Sequence, residues 1–242
     1  MRMDYKYTAI IMSKRDIGEY DRMYTAYTKE SGKIRLIARG VRKPNSKLAG
    51  NIEPITEVEL IIAKNRGRGQ LTAAIPATNF MLVKTELVLL ERVFYVFRVL
   101  AKMITEEEPD AKLYSLLTRY LMTLDKLPID EKTAMRADVL TAGFIYKLLG
   151  LAGYGIEAHK CVSCGAALGA DGNYFSMSMG GTICASCQKR DAQKIRIGHA
   201  AIKAFRIMSK NKLESLVKLS VSPEDLKNIK LVLDGAVKWI VG

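Results

Sequence analysis

Histidine is scarce in this sequence of 242 residues, which holds only two histidines, His159 and His199. His199 lies beside no evident nucleophile, and the carboxylates are scattered rather than gathered at the spacing of a metal pair. A phosphate-binding loop of the GxxxxGK[ST] type is also missing from the sequence. We therefore do not expect a nuclease, an ATPase or another hydrolase, and we predict that the protein is not an enzyme.

Long apolar runs are missing as well. No segment of the sequence approaches the run of about 18 apolar residues that a membrane-spanning helix needs, so we predict no contact with a membrane. The opening residues, Met1-Arg-Met-Asp-Tyr5, lack the apolar run of a secretion signal. We therefore expect a cytoplasmic protein whose cysteines stay reduced and are free to bind a metal.

Acidic residues are too few to balance the basic ones. The chain carries 38 Lys and Arg against 25 Asp and Glu, which gives a formal net charge of +13. Basic residues outnumber acidic ones by 15 to 8 in residues 1–80 and by 12 to 5 in residues 189–242, whereas residues 81–188 hold 11 against 12. Two basic ends predict a polyanionic partner, nucleic acid above all, that contacts two regions. The alternative is a generally basic surface that keeps the protein soluble.

The only four cysteines form two pairs, Cys161-Val-Ser-Cys164 and Cys184-Ala-Ser-Cys187. Two C-x-x-C turns about 15–20 residues apart have the spacing of a structural Zn²⁺ site, because each turn directs two thiolates at one ion and two turns complete a tetrahedral shell. A full thiolate shell leaves no open position for catalytic water. Two redox-active or incidental pairs are the alternative, although no βαβ pattern of a redox motif accompanies them. His159 is either a spare ligand or a surface residue.

Short runs of β-branched and aromatic residues dominate the first third of the chain and predict five strands, over residues 5–11, 22–28, 33–39, 55–63 and 71–77. Residues 13–18, between the first two strands, have the composition of a polar break. Five short strands predict an N-terminal OB-fold barrel that binds nucleic acid, with bounds at residues 1–79. An SH3-like barrel or an open meander also fits this pattern.

Basic residues concentrate in the loops of the predicted barrel. The segment Arg39–Lys47 holds four cations and no acid in nine residues, and Gly40 and Pro44 make it a loop. The segment Lys64–Gly69 repeats the pattern, with arginines that suit phosphates. With the neighbouring strands, these loops predict a DNA-binding surface formed by Lys14, Arg15, Lys33, Arg35, Arg39, Arg42, Lys43, Lys47, Arg66 and Arg68. Solvated turns, which are often basic, are the alternative.

Two tyrosines of the second strand are candidates for stacking on bases. Tyr24 and Tyr27 are aromatic residues within the predicted nucleic-acid-binding domain. Because successive side chains of a strand point to opposite faces, these two tyrosines lie on opposite sides of the sheet. We therefore expect at least one of them to lie in the core.

The pattern becomes helical after residue 79. Apolar residues at helical spacing predict helices over residues 80–105 and 112–124, and a third from an Asp130 cap to Leu149. A zinc module follows at about residues 156–190, and two more helices are predicted, over residues 198–210 and from a cap at Ser222. The fold class is thus α+β and multidomain, an OB-fold barrel followed over residues 80–242 by a mainly α-helical domain that carries the four-cysteine zinc ribbon.

With these features placed, the chain resembles the RecO family of recombination mediators. The resemblance is carried by Ser13-Lys-Arg-Asp-Ile-Gly-Glu-Tyr-Asp-Arg22, Tyr27-Thr-Lys-Glu-Ser-Gly-Lys33, Ala38-Arg-Gly-Val-Arg-Lys-Pro44, Ser46-Lys-Leu-Ala-Gly50 and the two cysteine pairs with Gly165 and Gly180-Gly181. It covers nearly the whole chain in order. It is most specific at the Arg39–Gly50 loop and at the cysteine pairs, whereas the last helices match only in character.

This resemblance implies a non-enzymatic role in DNA repair by homologous recombination. Members of the family bind single- and double-stranded DNA and anneal complementary strands. The resemblance also implies contact with the C-terminal tail of single-stranded-DNA-binding protein, cooperation with RecR in loading the recombinase, and a place at the bacterial nucleoid. Some members lack the cysteines, so zinc does not define the activity. Without the resemblance, the residues also fit two other classes of protein. One is a zinc-ribbon protein associated with RNA or transcription, and the other is a zinc enzyme.

Overall fold

The computed structural model describes residues 3–46, 48–64 and 70–242. Contacts within the chain divide it into two compact units, Met1–Asp125 and Lys126–Gly242. Among the described residues, no helix combines the length and the apolar character that a bilayer crossing requires. In the described part of the chain, the first unit contains the barrel and three α-helices, and the second unit contains the remaining α-helices and the four cysteines. A domain boundary after residue 79 stays a prediction.

A closed five-stranded barrel opens the first unit. Its strands are β1 (Met3–Ile17), β2 (Asp21–Thr28), β3 (Gly32–Ala38), β4 (Glu57–Lys64) and β5 (Gln70–Thr78). Their order around the barrel is β1-β2-β3-β5-β4, with antiparallel pairs except for a parallel bridge between Ile37 and Gln70. A short 3₁₀ helix, Ala49–Asn51, lies in the connection between β3 and β4. The predicted OB-like barrel is confirmed.

Side-chain alternation along the strands fills this barrel. Tyr24 and Ala26 point inward from β2 and meet Leu36 of β3 and Leu60 of β4 in one buried cluster. Tyr27 points outward, yet it is also buried, because helix α3 (Ala111–Leu124) covers it and stacks a tyrosine ring on it. Both tyrosines are therefore core residues and are withdrawn as candidates for stacking on bases.

Strand β1 is longer than the sequence predicts. Residues 13–17 do not form a break but continue the strand, after a register shift between Ile11 and Ser13, and pair with residues 21–25 of β2. Charged side chains stabilise this exposed extension, since Arg22 Nε lies 2.7 Å from Asp16 Oδ1 and Lys14 pairs with a glutamate. Residues 13–17 themselves bury no apolar face and carry no apolar alternation, so the pattern could not reveal this extension.

Three helices complete the first unit, α1 (Met81–Thr85), α2 (Leu87–Met103) and α3. The single helix predicted over residues 80–105 is thus two helices, because the backbone of Glu86 is extended and ends one helix where the next begins. Asp110 caps α3, and its carboxylate accepts the backbone N–H groups of Lys112 and Leu113. The second predicted helix is confirmed to within one residue.

The turn between β2 and β3 depends on Gly32. Its φ is +65°, and a Cβ on this residue would lie 2.1 Å from the carbonyl oxygen of Glu108. We expect Gly32→Ala to lower the free energy of unfolding by about 2–4 kcal/mol, because the left-handed backbone disfavours alanine and the methyl group meets backbone, which cannot rotate away. Urea unfolding of the purified chain measures this loss.

Gly18 offers a matched control for that substitution. Its φ is +62°, nearly the same, but no atom lies within 4 Å of the position of its missing Cβ. Gly18→Ala therefore carries the backbone strain without the steric clash. Equal losses of stability in the two variants would contradict the close packing of the β2–β3 turn against residue 108.

The second unit combines three helices with a small sheet. Its elements are α4 (Thr133–Leu151), β6 (Asn173–Ser176), β7 (Gly181–Ile183), a 3₁₀ helix (Ala185–Arg190), β8 (Lys194–Ile197), α5 (His199–Lys210), a 3₁₀ helix (Leu213–Lys218) and α6 (Pro223–Val241). The sheet is antiparallel with the order β7-β6-β8. Gly235 of α6 lets that helix approach the sheet, because a Cβ there would lie 2.1 Å from Met177 Cε. The predicted helices are confirmed to within a few residues.

Candidate nucleic-acid interface and metal centre

The described part of the basic loop, residues 39–46, is fixed to the turn between β1 and β2. Val41 inserts into the barrel core and is fully buried. The backbone N–H of Arg42 donates to the carbonyl of Tyr20 at 3.0 Å, and the N–H of Gly40 donates to Asp21 Oδ1 at 2.7 Å. The loop therefore presents its cations from a defined position on the barrel.

Three cations of the basic loop have different surroundings. Arg39 is exposed and makes no hydrogen bond or ion pair with any other described residue. The Arg42 guanidinium lies 3.5 Å from Asp16 Oδ2. The Lys43 ammonium lies 5.5 Å from the centroid of the Tyr20 ring, a cation–π contact. All three side chains remain accessible to a ligand, and Arg39 is the least engaged by the protein.

Tyr20 is a residue that sequence reasoning missed. It lies in the β1–β2 turn, is 43% exposed, and holds the Lys43 ammonium over its ring. A large aromatic residue in an otherwise polar turn is the signal that could have identified it. Its contact with Lys43 orients one of the predicted phosphate-binding cations.

The ionised state of Asp16 bears on this surface. A hydrogen bond from the Arg22 side chain lowers the pKa of Asp16, and the charge of Arg42 acts in the same direction. The carboxylate therefore stays ionised at neutral pH and offsets part of the positive charge beside the basic loop. Lys14 is likewise paired, with Glu53.

The surroundings of Lys33 do not fit its predicted role as a DNA contact. It is only 7% exposed, and its ammonium donates to the backbone carbonyls of Ala101 and Ile104 at the end of α2. Burial lowers its pKa, and the last carbonyls of a helix are favourable partners for a cation. Lys33 is therefore a helix-capping residue whose ammonium is held by backbone carbonyls, and it is withdrawn from the predicted DNA-binding set. The alternation along β3 suggested an open basic face because it could not show that a helix end covers it.

The outer face of β1, β2 and β3 carries two further predicted cations. In the strand register, Ser13, Thr25 and Arg35 form one row across the three strands, and Arg15 lies opposite Met23 in the next row. Residues two apart on a strand share a face, so Arg15 and Arg35 point to the same side of the sheet. Arg15 is exposed, and Arg35 Nη2 lies 2.8 Å from Glu106 Oε1 in a pair that is about half exposed. The predictions for Lys47, Arg66 and Arg68 lie outside the described residues.

The four cysteines meet at one point of the second unit. All four Sγ atoms lie within 4.8 Å of one another, and the Sγ atoms of Cys164 and Cys184 are 3.9 Å apart. Four sulfurs at about 2.3 Å from a central zinc would be separated by about 3.8 Å. The thiols therefore fit a tetrahedral metal ion. His159 is exposed and lies outside this cluster.

Electrostatics within the cluster favour a bound cation. Burial acts to raise the pKa of the Cys161 thiol, but backbone N–H groups, that of Cys184 foremost, outweigh it and lower the pKa to about 6. The N–H of Ala166 acts to lower the pKa of Cys164, but hydrogen bonds with the surrounding thiols outweigh it and raise the pKa to about 11. One thiolate forms readily and further ones repel it, so a divalent cation would offset the charge of a fully ionised set.

Backbone hydrogen bonds shape the two cysteine turns. The N–H of Gly165 donates to the carbonyl of Cys161 at 2.8 Å, and the N–H of Cys187 donates to the carbonyl of Cys184 at 3.0 Å. Cys161 and Cys187 are buried with Ile183 in a small core. With so few apolar residues, this segment depends on its thiols for cohesion.

Comparison with known proteins bears on both sites. Residues 1–80 match the sequence profile of the family described as Recombination protein O N terminal, and residues 90–242 match the one described as Recombination protein O C terminal. The chain belongs to the RecO family. This finding confirms the resemblance drawn from the basic loop and the cysteine pairs.

Several RecO relatives align with nearly the whole chain. A protein of Dehalococcoides mccartyi named DNA repair protein RecO is 30% identical over 238 residues, which cover 98% of this chain and 91% of that protein. Proteins of the same name from a Roseiflexus species and from Bacillus pumilus are 31% and 28% identical, over 98% and 95% of this chain and 81% and 86% of their own lengths. The barrel and the cysteine cluster therefore belong to a RecO-family DNA repair protein.

Proposed function

We propose that this RecO-family protein is a non-enzymatic recombination mediator that binds single- and double-stranded DNA and anneals complementary strands. The observation that carries the proposal is the basic surface of the barrel. Arg15 and Arg35 share the outer face of β1–β3, and the accessible cations Arg39, Arg42 and Lys43 follow at the end of β3. The proposed nucleic-acid-binding domain spans residues 1–79, and the helical domain spans residues 80–242.

Annealing follows from charge neutralisation by this surface. Two complementary strands repel each other because each carries one negative charge per phosphate. Arginine and lysine side chains that contact phosphates release condensed counterions and hold the backbones close without reading base sequence. The partly paired cations Lys14, Arg35 and Arg42 exchange a carboxylate for a phosphate at little cost, because exposed ion pairs contribute only about 0–1 kcal/mol.

We also propose that the cysteine cluster binds a structural Zn²⁺ ion. Cys161, Cys164, Cys184 and Cys187 supply four thiolates at tetrahedral spacing, the donor set that zinc prefers in structural sites. When bound, the ion would cross-link the two turns and would supply no reaction chemistry, because the shell is closed. Its role is to hold the segment of about residues 156–190 in its fold.

The proposed partners follow from the family. RecR would cooperate with this protein in loading the recombinase onto single strands, and the acidic tail of single-stranded-DNA-binding protein would recruit it to covered DNA, in the cytoplasm at the nucleoid. A site for such a tail needs an apolar pocket together with cations that accept a terminal carboxylate. The helical domain has apolar and basic residues to build one.

Annealing of two complementary labelled strands by the purified full chain tests the proposal. We expect the protein to accelerate annealing without any nucleotide, both with bare strands and with strands coated by single-stranded-DNA-binding protein. The acceleration on coated strands should disappear when the tail of the coating protein is deleted. Non-complementary strands of equal length are the control for aggregation.

Two outcomes would overturn this proposal. Absence of acceleration with bare strands would exclude annealing as the activity. A preference for RNA over DNA in direct competition would instead favour a zinc-ribbon protein associated with RNA or transcription.

A further inference from the structure

A cavity of about 770 Å³ lies between the outer face of the barrel and helix α2 within the first unit. Met12 and Thr25 line it from the strands, Phe94 and Phe97 line it from the helix, and Arg35 and Arg98 stand beside them. Pockets of about 300–1,000 Å³ accommodate small organic ligands. The cavity is therefore large enough for a nucleobase.

Phe94 is an unusual residue in this cavity. It is 39% exposed, although its neighbours Val93, Val96 and Phe97 in the apolar run of α2 are buried. Its ring lies edge-to-face on the buried Phe97, with centroids 6.4 Å apart and planes at 82°. A fixed aromatic ring that faces a cavity offers a π-face for stacking.

Charges around the cavity suit a polyanion. Arg98 follows Phe94 by four residues on α2, so the two side chains project from the same side of the helix. Arg98 is exposed, and its guanidinium makes no hydrogen bond or ion pair with the rest of the described chain. The acidic residue of the cavity, Glu91, is paired with Arg92, whose Nη1 lies 2.7 Å from its Oε2. The cavity therefore has the unpaired guanidinium of Arg98 beside an apolar lining.

The cavity also continues the proposed DNA surface. Ser13 and Arg35 line it, and they belong to the strand row next to that of Arg15 on the same outer face. In OB-fold proteins the face of the second and third strands is the one that binds oligonucleotides. A strand that follows the basic surface would therefore reach the cavity.

We propose that this cavity holds one or two unstacked bases of a single strand, with Phe94 stacked on a base and Arg98 and Arg35 at the adjacent phosphates. The inference rests on the proposed DNA-binding function and deepens it, because it assigns a site that only a single strand can enter. A duplex keeps its bases paired and stacked, so it would contact the outer basic surface without entering the cavity. The site would thus distinguish single-stranded from double-stranded DNA.

Phe94→Ala tests the assignment. We expect the affinity for a single-stranded oligonucleotide to fall about 5- to 150-fold, the equivalent of the roughly 1–3 kcal/mol that one stacked base contributes, while the affinity for a duplex stays unchanged. Phe94→Trp should retain the affinity for the single strand. An oligonucleotide that carries a fluorescent adenine analogue should change its emission on binding to the wild type and to Phe94→Trp, but not on binding to Phe94→Ala.

Met122→Ala is the matched control, because Met122 is 40% exposed on α3 and does not line the cavity. It should leave both affinities unchanged. If Phe94→Ala does not fold, Arg98→Gln provides a second test. We expect it to make the slope of log affinity against log salt concentration shallower by about 0.7 for a single strand and to leave the slope for a duplex unchanged.

Three results would overturn the inference. They are an unchanged single-strand affinity in Phe94→Ala, equal losses for the single strand and the duplex, and a loss confined to binding of an acidic, apolar peptide, which would make the cavity a peptide site. If the wild type binds no DNA at all, the proposed function itself fails. If the wild type binds DNA and Phe94→Ala is unaffected, only the inference fails.

Discussion

Replacing Cys164 with serine is expected to lower the free energy of unfolding of the second unit by about 3–5 kcal/mol. Cys164 is exposed, so the substitution removes no buried packing and the expected loss comes from the metal. Structural zinc contributes on the order of 10–16 kcal/mol in isolated zinc-finger peptides, and three remaining thiolates would retain only part of the binding. The core around the cysteines is small, since of the residues that the structure describes only Leu168, Tyr174 and Ile183 pack there with the cysteines themselves.

Ser163→Ala is the control for that variant, since Ser163 lies in the same turn and its hydroxyl accepts a hydrogen bond from the exposed Arg190 at 2.8 Å. Its stability should change by less than about 0.5 kcal/mol. Elemental analysis should find one zinc per wild-type chain and less in Cys164→Ser, and cobalt substitution should give the spectrum of four thiolates. Unchanged stability and metal content in Cys164→Ser would contradict a structural metal. A soluble, folded variant without DNA binding would make the cysteine segment a contact surface.

Removing the charges of Arg39, Arg42 and Lys43 together is expected to weaken binding to single- and double-stranded DNA on the order of 10²-fold at about 0.1 M salt. Release of a condensed counterion into such a solution favours each phosphate contact by roughly five- to eightfold, so three lost contacts weaken binding on the order of 10²-fold. These side chains are exposed, and Val41 anchors the loop, so alanine at the three positions should not disturb the barrel. Fluorescence anisotropy with labelled oligonucleotides measures the loss, and the variant should also anneal strands more slowly.

Lys102, Lys112 and Lys126 provide a matched control. They are exposed and belong to the central, nearly neutral stretch of the chain. Alanine at these three positions removes the same charge from the protein but no cation from the proposed surface. A similar loss of affinity in both triple variants would show that net charge, rather than the basic loop, determines binding.

The elements that a sequence pattern can predict are those that bury one face. Val58, Leu60 and Ile62 alternate along β4 and are all buried in the barrel, as their period of two predicts. Helix α6 begins at Pro223, with Ser222 as its cap. The spacing of the cysteines likewise predicts their convergence, because two tight turns must bring their thiols together.

Other features depend on contacts that local sequence cannot show. The extension of β1 is held by charged pairs and has no buried face. Lys33 is buried by the end of a helix about 70 residues later in the chain. The short strand β8 is positioned by pairing with β6, which lies about 20 residues earlier in the sequence. For Lys33 and for β8, the position of a distant segment decides the outcome.

The same reason limits prediction of the candidate site. Phe94 lies in an apolar run that indicates core, and only the fold reveals that its ring faces a cavity beside Arg35. The sequence predicts the basic loop because its charges are adjacent. It does not predict that Tyr20 holds Lys43, because that contact joins two loops.

The salt dependence of DNA affinity is the most direct test of a phosphate-binding surface on the barrel. Affinities of the wild type and of the Arg39, Arg42 and Lys43 triple variant would be measured for a single strand and for a duplex over a range of salt concentrations. If three phosphate contacts are lost, the slope of log affinity against log salt should become shallower by about 2.1 for the single strand and about 2.7 for the duplex. An unchanged slope in the triple variant would contradict the assignment of the basic loop to DNA.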